Sequence, residues 1–409
     1  MATAAVFPTR VIGCPDCGSH QRLPPPEPRA SLRCVACGGI LERTHGRSLR
    51  LALACSMATL MLLVPANLSL FLRTDALGVS RSSHLASAAG AMLEGGWPLL
   101  AAVVFLFVVM FPIMRFALLT LVLGALEIGE HPRWLGRAFR YSNRLQTWAM
   151  PDVFLLGLAV AYARLADSVA VMAGPGAMCF IAAGVLSLFV RATLDRQAVW
   201  ERIAPTRTSL PFADALECTD CEQLVGAHRE GAPCPRCTNP VHRRKPEAVS
   251  RTIALTLAAL LLYIPANIYP LATLPIDYKP TTYTVLEGVI ELAQAGLWDL
   301  AILVFTASFA IPFLKLAGIS WCVLSVVRRS NRHLVWKTRT YRVVEEIGRW
   351  SMVDPFVIGA FVPVMNYNAL VYGRAEPAAV PFTAVVILTI ISAKTFDPRL
   401  MWDAARRAR

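Results

Sequence analysis

Val64-Pro65-Ala66-Asn67-Leu68 returns 200 residues later as Ile264-Pro265-Ala266-Asn267-Ile268. Working outward, Cys34 and Cys37 return at the same offset as Cys234 and Cys237. Phe111-Pro112-Ile113-Met114-Arg115 returns as Ile311-Pro312-Phe313-Leu314-Lys315. Three independent matches at one spacing mark the duplication of a module, a cysteine-rich head followed by apolar segments.

The apolar segments decide the class. Of 409 residues, 56% are hydrophobic and 16% charged, and the mean hydropathy is +0.51. A helix needs about 20 apolar residues to cross a bilayer core of about 30 Å. Runs of that kind occur near 51–72, 98–124, 152–170 and 176–194, and again near 252–272, 299–326, 353–371 and 379–396. They are continuous rather than alternating, which predicts helices. The expected fold is an all-α polytopic membrane protein of two tandem parallel four-helix transmembrane modules, each preceded by a small cytoplasmic zinc ribbon. The boundaries are 1–50 for the first ribbon, 51–194 for module 1, 195–251 for the second ribbon and its linkers, and 252–409 for module 2 with a short tail.

The net charge of +13 would point to nucleic acid in a soluble chain. Here it marks the cytoplasmic face of the spans, and no nucleic-acid partner is expected. Segments 1–50, 127–147, 195–251, 327–349 and 394–409 hold 32 of the 40 Lys and Arg residues, and the intervening loops hold five. Both termini and both cysteine heads are therefore expected in the cytoplasm. Met1 to Arg50 is polar and cysteine-bearing, so no export signal is expected there. The outer loops, 73–97 and 273–298, read as too short for an independent domain.

Eight of the eleven cysteines form four C-x-x-C pairs. Cys14/Cys17 and Cys34/Cys37 enclose sixteen residues, and Cys218/Cys221 and Cys234/Cys237 enclose twelve. Two knuckles at this spacing offer four thiolates to one tetrahedral ion, so two structural Zn2+ sites are expected. Gly18, Gly38 and Gly39 follow their knuckles, where a tight turn suits glycine. Thiol redox chemistry is the rival use of C-x-x-C. Pairing at ribbon spacing and a reducing compartment argue against it.

Polar groups in apolar runs are candidate transport residues, because burying them in a bilayer is costly. Arg115 and Lys315 sit three residues after Pro112 and Pro312, prolines that each free a backbone carbonyl one turn back. Asp152 and Asp354 match at offset 202 and read either as helix caps or as partners of Arg115 and Lys315. Asp195 matches Asp397, Thr193 matches Thr395, and Arg191 and Lys394 lie beside them. Asn67 and Asn267 would need interhelical partners. Together these residues outline a polar track, and a proton relay is one use for it. The loop inside each module carries apolar residues at helical spacing, Trp134 to Trp148 and Trp336 to Trp350. Beside the first run lies a basic stripe, Arg133, Arg137, Arg140 and Arg144. This reads as an amphipathic helix lying on anionic headgroups or as an extension packing on its neighbours.

Two CxxC…CxxC heads before four spans each, the Pro-Ala-Asn motif in the first span of each module, and the ending Phe396-Asp397-Pro398-Arg399 resemble the paraquat-inducible protein A family over essentially the whole chain. Module 1 departs from that ending, since Leu194-Asp195-Arg196 lacks the proline. The resemblance implies an inner-membrane protein of Gram-negative bacteria. It further implies a partner with MCE domains that forms a tunnel across the periplasm, and phospholipid as cargo. The absence of a G-x-x-x-x-G-K-[ST] motif leaves the proton gradient or an external ATPase as energy source, and no enzymatic activity is expected. A membrane thiol-redox protein and a small-solute secondary transporter are the alternatives. Elemental analysis of the full chain should find about two Zn per molecule, and alkylating reagents should meet unreactive cluster thiols until a chelator is added.

Overall fold

The computed structural model describes residues 10–23, 31–43, 49–76, 79–165, 170–205, 215–276, 279–361 and 374–407. The first head is two hairpins, β1 (Arg10–Gly13) with β2 (His20–Leu23) and β3 (Ser31–Arg33) with β4 (Ile40–Arg43). Module 1 follows as α1 (Leu49–Leu68), β5 (Leu72–Ala76), β6 (Val79–Ser83), α2 (Leu85–Glu94), α3 (Pro98–Val104), α4 (Phe111–Ile128), α5 (Leu135–Leu145), α6 (Pro151–Leu165), β7 (Ala170–Ala173), α7 (Pro175–Thr193) and α8 (Arg196–Ile203). The second head contains the hairpin β8 (Ala215–Glu217) and β9 (Leu224–Gly226). Module 2 repeats the order as α9 (Ala248–Ile268), β10 (Ala272–Ile276), β11 (Lys279–Tyr283), α10 (Val285–Gln294), α11 (Trp298–Phe305), α12 (Ile311–Val327), α13 (Leu334–Ile347), α14 (Val353–Phe361), β12 (Arg374–Ala375), α15 (Ala379–Thr395) and α16 (Arg399–Arg406).

Among the described residues, five helices are long and apolar enough to cross a membrane: Leu49–Leu68, Pro98–Ile128, Pro175–Thr193, Ala248–Ile268 and Trp298–Val327. Ala379–Thr395 joins them when taken with Arg399–Arg406, from which it bends by 49°. The remaining two expected spans fall on α6 and α14, which are shorter, and residues 362–373 of the second lie outside the described residues.

The 31-residue helix Pro98–Ile128 carries a π-helical turn, Phe105–Met110, immediately before Pro112. Trp298–Val327 carries the equivalent turn, Thr306–Ala310, before Pro312. In each, the residue before the proline bonds five residues back, Phe111 N–H to Leu106 O and Ile311 N–H to Thr306 O. The widened turn takes up the ladder position that the proline cannot fill. Pro65 and Pro265 lie inside α1 and α9. Two residues on, Asn67 and Asn267 donate from their side-chain amides to Leu63 O and Tyr263 O at 2.7 and 2.8 Å. These donor bonds stay within one helix, while Asn67 Oδ1 is buried without a hydrogen-bond partner among the described residues. The amide instead serves a carbonyl of its own helix near the proline break.

The outer loops are more structured than their length indicated. In module 1, β5 pairs with β6 and, across 100 residues of sequence, with β7. In module 2, β10 pairs with β11 and β12. A strand from before the last helix of each module thus closes a three-stranded antiparallel sheet at the end opposite the heads, with α2 or α10 beside it.

The two modules meet through α6 and α14. Phe154 and Phe356 touch edge to face at 5.7 Å, and Gly157 admits the α14 backbone so closely that a Cβ would lie 3.2 Å from Val353 O. Its equivalent, Gly359, meets Val104 and Met92. Small residues at such crossings let helix backbones approach, which is the main source of helix affinity where water exerts no hydrophobic drive.

The heads are crossed. Head 1 docks on module 2, where Arg342 of α13 donates to Asp16 Oδ2 at 2.7 Å and Trp402 of α16 packs on the cysteine core. Head 2 docks on module 1, where Arg144 of α5 donates to Asp220 at 2.7 Å and to Asn239 at 2.8 Å, and Arg137 donates to Thr238. The basic stripe therefore serves a protein surface at Arg137 and Arg144, while Arg140 is buried. This favours the packing reading of α5 over the headgroup reading. Gly136 presses on the second head so tightly that a Cβ would collide with Arg236 O. Gly136→Val should displace head 2 and cost about 1–3 kcal/mol. Thermal unfolding and the rate of chelator-driven metal loss should both report it.

Candidate metal centres and a buried ion cluster

Each head presents four buried cysteines, Cys14, Cys17, Cys34 and Cys37 in one and Cys218, Cys221, Cys234 and Cys237 in the other. Their sulfurs lie within 4.8 Å of one another. The knuckles are alike. In each, the first cysteine N–H donates to a carbonyl five residues on, and the fifth residue N–H returns to that cysteine's carbonyl. The fifth residue takes a left-handed conformation, Gly18 at φ 70°, Gly38 at 69°, Glu222 at 58° and Thr238 at 60°. Glycine meets that demand without strain in head 1, whereas head 2 holds a β-branched residue there.

The donor set fits a tetrahedral ion. Close Sγ–Sγ pairs are 3.5 Å apart in head 1 and 3.5 and 3.6 Å in head 2. Metal–sulfur bonds of about 2.3 Å in a tetrahedron place sulfurs about 3.8 Å apart, whereas a disulfide closes to about 2.05 Å. Gln21 Nε2 donates to Cys34 Sγ at 2.9 Å and Arg342 Nη2 to Cys37 Sγ at 2.9 Å. Such donors offset the negative charge of a four-thiolate shell. The two clusters could each hold one metal ion.

Away from the heads, Asp152 at the start of α6 collects charges from both modules. Arg191 of α7 reaches its Oδ2 at 3.1 Å. Arg349, from the turn before α14, donates to Oδ1 at 3.1 Å and to Oδ2 at 2.9 Å. Arg115 is 3% exposed, lies 4.9 Å from the centre of the Phe116 ring, and feels the charges of Arg191, Asp152, Arg349 and Arg196. Sequence offsets missed Arg349, because its equivalent in module 1 is Thr147. No periodicity could have found it.

The equivalent residues of module 2 have gone elsewhere. Lys315, 1% exposed, donates to Gly348 O at 3.1 Å and Ser351 Oγ at 3.2 Å. Lys394 pairs with Glu345 at 2.6 Å, and Asp354 is buried. Thr193 and Thr395 bond back to their own helices at Phe189 O and Ile391 O. Asp195 caps α8, accepting from Gln197 and Ala198 N–H. Asp397 accepts twice from the Arg399 side chain, once from Arg399 N–H and once from Lys245 N–H. Burial works to raise the Asp397 carboxyl, but these donors hold it below its ordinary value. Burial lowers the Lys245 ammonium despite Asp397. Of the predicted residues, then, the structure brings Arg115, Asp152 and Arg191 together and gives Asp195, Asp397 and Lys394 separate local roles.

A family profile described as paraquat-inducible protein A matches residues 49–204 and 249–406. The chain is 29% identical to the intermembrane transport protein PqiA of Escherichia coli (strain K12), over 96% of this chain and 95% of that one. It is 29% identical to the lipophilic envelope-spanning tunnel protein A of the same organism, over 96% and 91%. A probable intermembrane transport protein of Haemophilus influenzae is 25% identical over 97% and 96%. No solved structure matches the chain significantly. Asp152→Asn should destabilise the protein by about 1–3 kcal/mol by leaving partly buried guanidiniums uncompensated. Pairing it with Arg349→Gln should cost less than the two single changes added together, which a double-mutant cycle on unfolding in detergent measures.

Proposed function

This chain belongs to the paraquat-inducible protein A family, and on that premise we propose that it is the inner-membrane component of an intermembrane phospholipid transport system. It passes lipid to or from an MCE-domain partner that spans the periplasm, and the proton gradient is the energy source its polar residues could use. The observation that carries this reading is end-to-end similarity to proteins named for intermembrane transport, with both repeats matched. The chain spans the membrane several times, with both termini and both heads in the cytoplasm, in keeping with the distribution of Lys and Arg.

Two features support a transporter built from duplicated halves. Charged groups are buried where the modules meet, and ionisable residues in apolar surroundings mark transport pathways more often than structural fillers. The modules touch through small-residue crossings at Gly157 and Gly359, so the interface between the halves is built from closely approaching helices. Zinc in each head is structural, since four sulfurs close its shell. The thiol-redox alternative is disfavoured because all eight cluster thiols are 3% exposed or less, and reactive thiols must be reached by their substrates.

Purified full-length protein should carry phospholipid through detergent extraction and move labelled lipid between vesicles when its MCE partner is present. Asp354→Asn and Lys394→Gln should each lower that transfer at normal expression, and Asp152→Asn should lower it per folded molecule. Full transfer by all three would remove the polar residues from the mechanism.

A further inference from the structure

The Asp152 cluster does not balance its charge. Three guanidiniums, Arg115, Arg191 and Arg349, gather about one carboxylate in contact, Asp152, while the exposed Glu346 acts on Arg349 without an ion pair. Arginine stays protonated in proteins, so the excess positive charge cannot be relieved by losing a proton. A buried charge without a counter-charge costs several kcal/mol.

Two donors mark where the missing anion belongs. The Arg115 guanidinium has no hydrogen-bond acceptor among the described residues, although its residue is 3% exposed and its neighbouring contact is the Phe116 ring. Arg349 Nε is buried without a partner while its Nη2 holds Asp152. Module 2 lacks this pattern, because Lys315 directs its ammonium to Gly348 O and Ser351 Oγ, two neutral acceptors. Lys315 is thus a buried cation whose donors are satisfied, whereas Arg115 and Arg349 Nε keep donors without acceptors among the described residues.

We propose that Arg115, together with Arg191 and Arg349 held by Asp152, forms a partly buried receptor for a phosphate oxyanion, and that its physiological occupant is the phosphate of a phospholipid headgroup. Guanidiniums suit that ligand, because their planar donors match phosphate oxygens pairwise. Asp152 fixes two of the arginines by ion pairs and leaves the remaining donors for the ligand. Since Arg349 comes from module 2 and the others from module 1, occupancy also ties the modules together. The proposal rests on the lipid-transport reading and names the part of the cargo that the cluster would hold.

The test uses the full chain in detergent, with thermal stabilisation read against added phosphatidylglycerol, diacylglycerol of the same acyl chains, or inorganic phosphate. Phosphatidylglycerol should stabilise the wild type and diacylglycerol should not. Inorganic phosphate should compete with the lipid. Arg115→Gln should weaken phosphatidylglycerol binding about tenfold, the loss expected for one charged hydrogen bond. Arg50→Gln, a change at an exposed arginine, should leave it unchanged. If Arg115→Gln does not fold, Arg349→Lys keeps a cation for Asp152 and removes Nε, and the same weakening is expected. Equal stabilisation by diacylglycerol, or undiminished binding by the variants, overturns the site. Stabilisation by inorganic phosphate as strong as by the lipid overturns the headgroup as occupant. Lipid transfer measured on the same proteins separates the two readings. Normal binding and transfer in Arg115→Gln removes this site alone, whereas phosphate-dependent stabilisation with no transfer by the wild type removes the transport reading alone.

Discussion

Asp152 is the point on which the two halves of the molecule depend. It opens α6, the helix that packs on α14, and it is bonded both by Arg191 from its own module and by Arg349 from the other. Apolar packing of Phe154 on Phe356 holds the same crossing, but such packing tolerates sliding. An ion pair among apolar helices resists sliding more, because breaking it leaves a mostly desolvated charge without its partner. The carboxylate therefore fixes the register between modules that small-residue contacts alone would leave loose.

The crossed heads impose a second constraint. Each cysteine head precedes one module in sequence and docks on the other, through Arg342 and Trp402 for head 1 and through Arg137 and Arg144 for head 2. The heads also touch, with the Glu217 carboxylate lying against Gly13. Lys245, in the linker leading to module 2, donates to the carbonyls of Lys394 and Phe396. The face that carries the heads is thus one continuous assembly, so a metal ion that stabilises either head also stabilises the loop helix beneath it. For head 1 the connection is direct, since Arg342 donates to Cys37 Sγ.

Much of this was legible in the chain. Pro112 and Pro312 announced a missing backbone hydrogen bond in two long helices, and the π-helical turns stand there because a missing N–H has to be absorbed locally. The cysteine spacing predicted both four-sulfur clusters, because a tetrahedral shell demands two close pairs. Other features left no local trace. The strands β7 and β12 lie far from their partners in sequence, so no short pattern reveals that the outer loops close into sheets. Asn67 and Asn267 read as interhelical glue, yet an asparagine two residues past a proline finds a carbonyl in its own helix first.

The sequence by itself determined the duplication, the apolar helices and the metal-ligand sets, because each depends on spacing along one chain. Tertiary structure alone decided which head meets which module, and that Arg349 answers Asp152 while Lys394 turns to Glu345. A repeat constrains what each half contains. It does not constrain which half supplies the partner, since charges pair by distance in space and two equivalent positions stop being equivalent once the halves pack face to face.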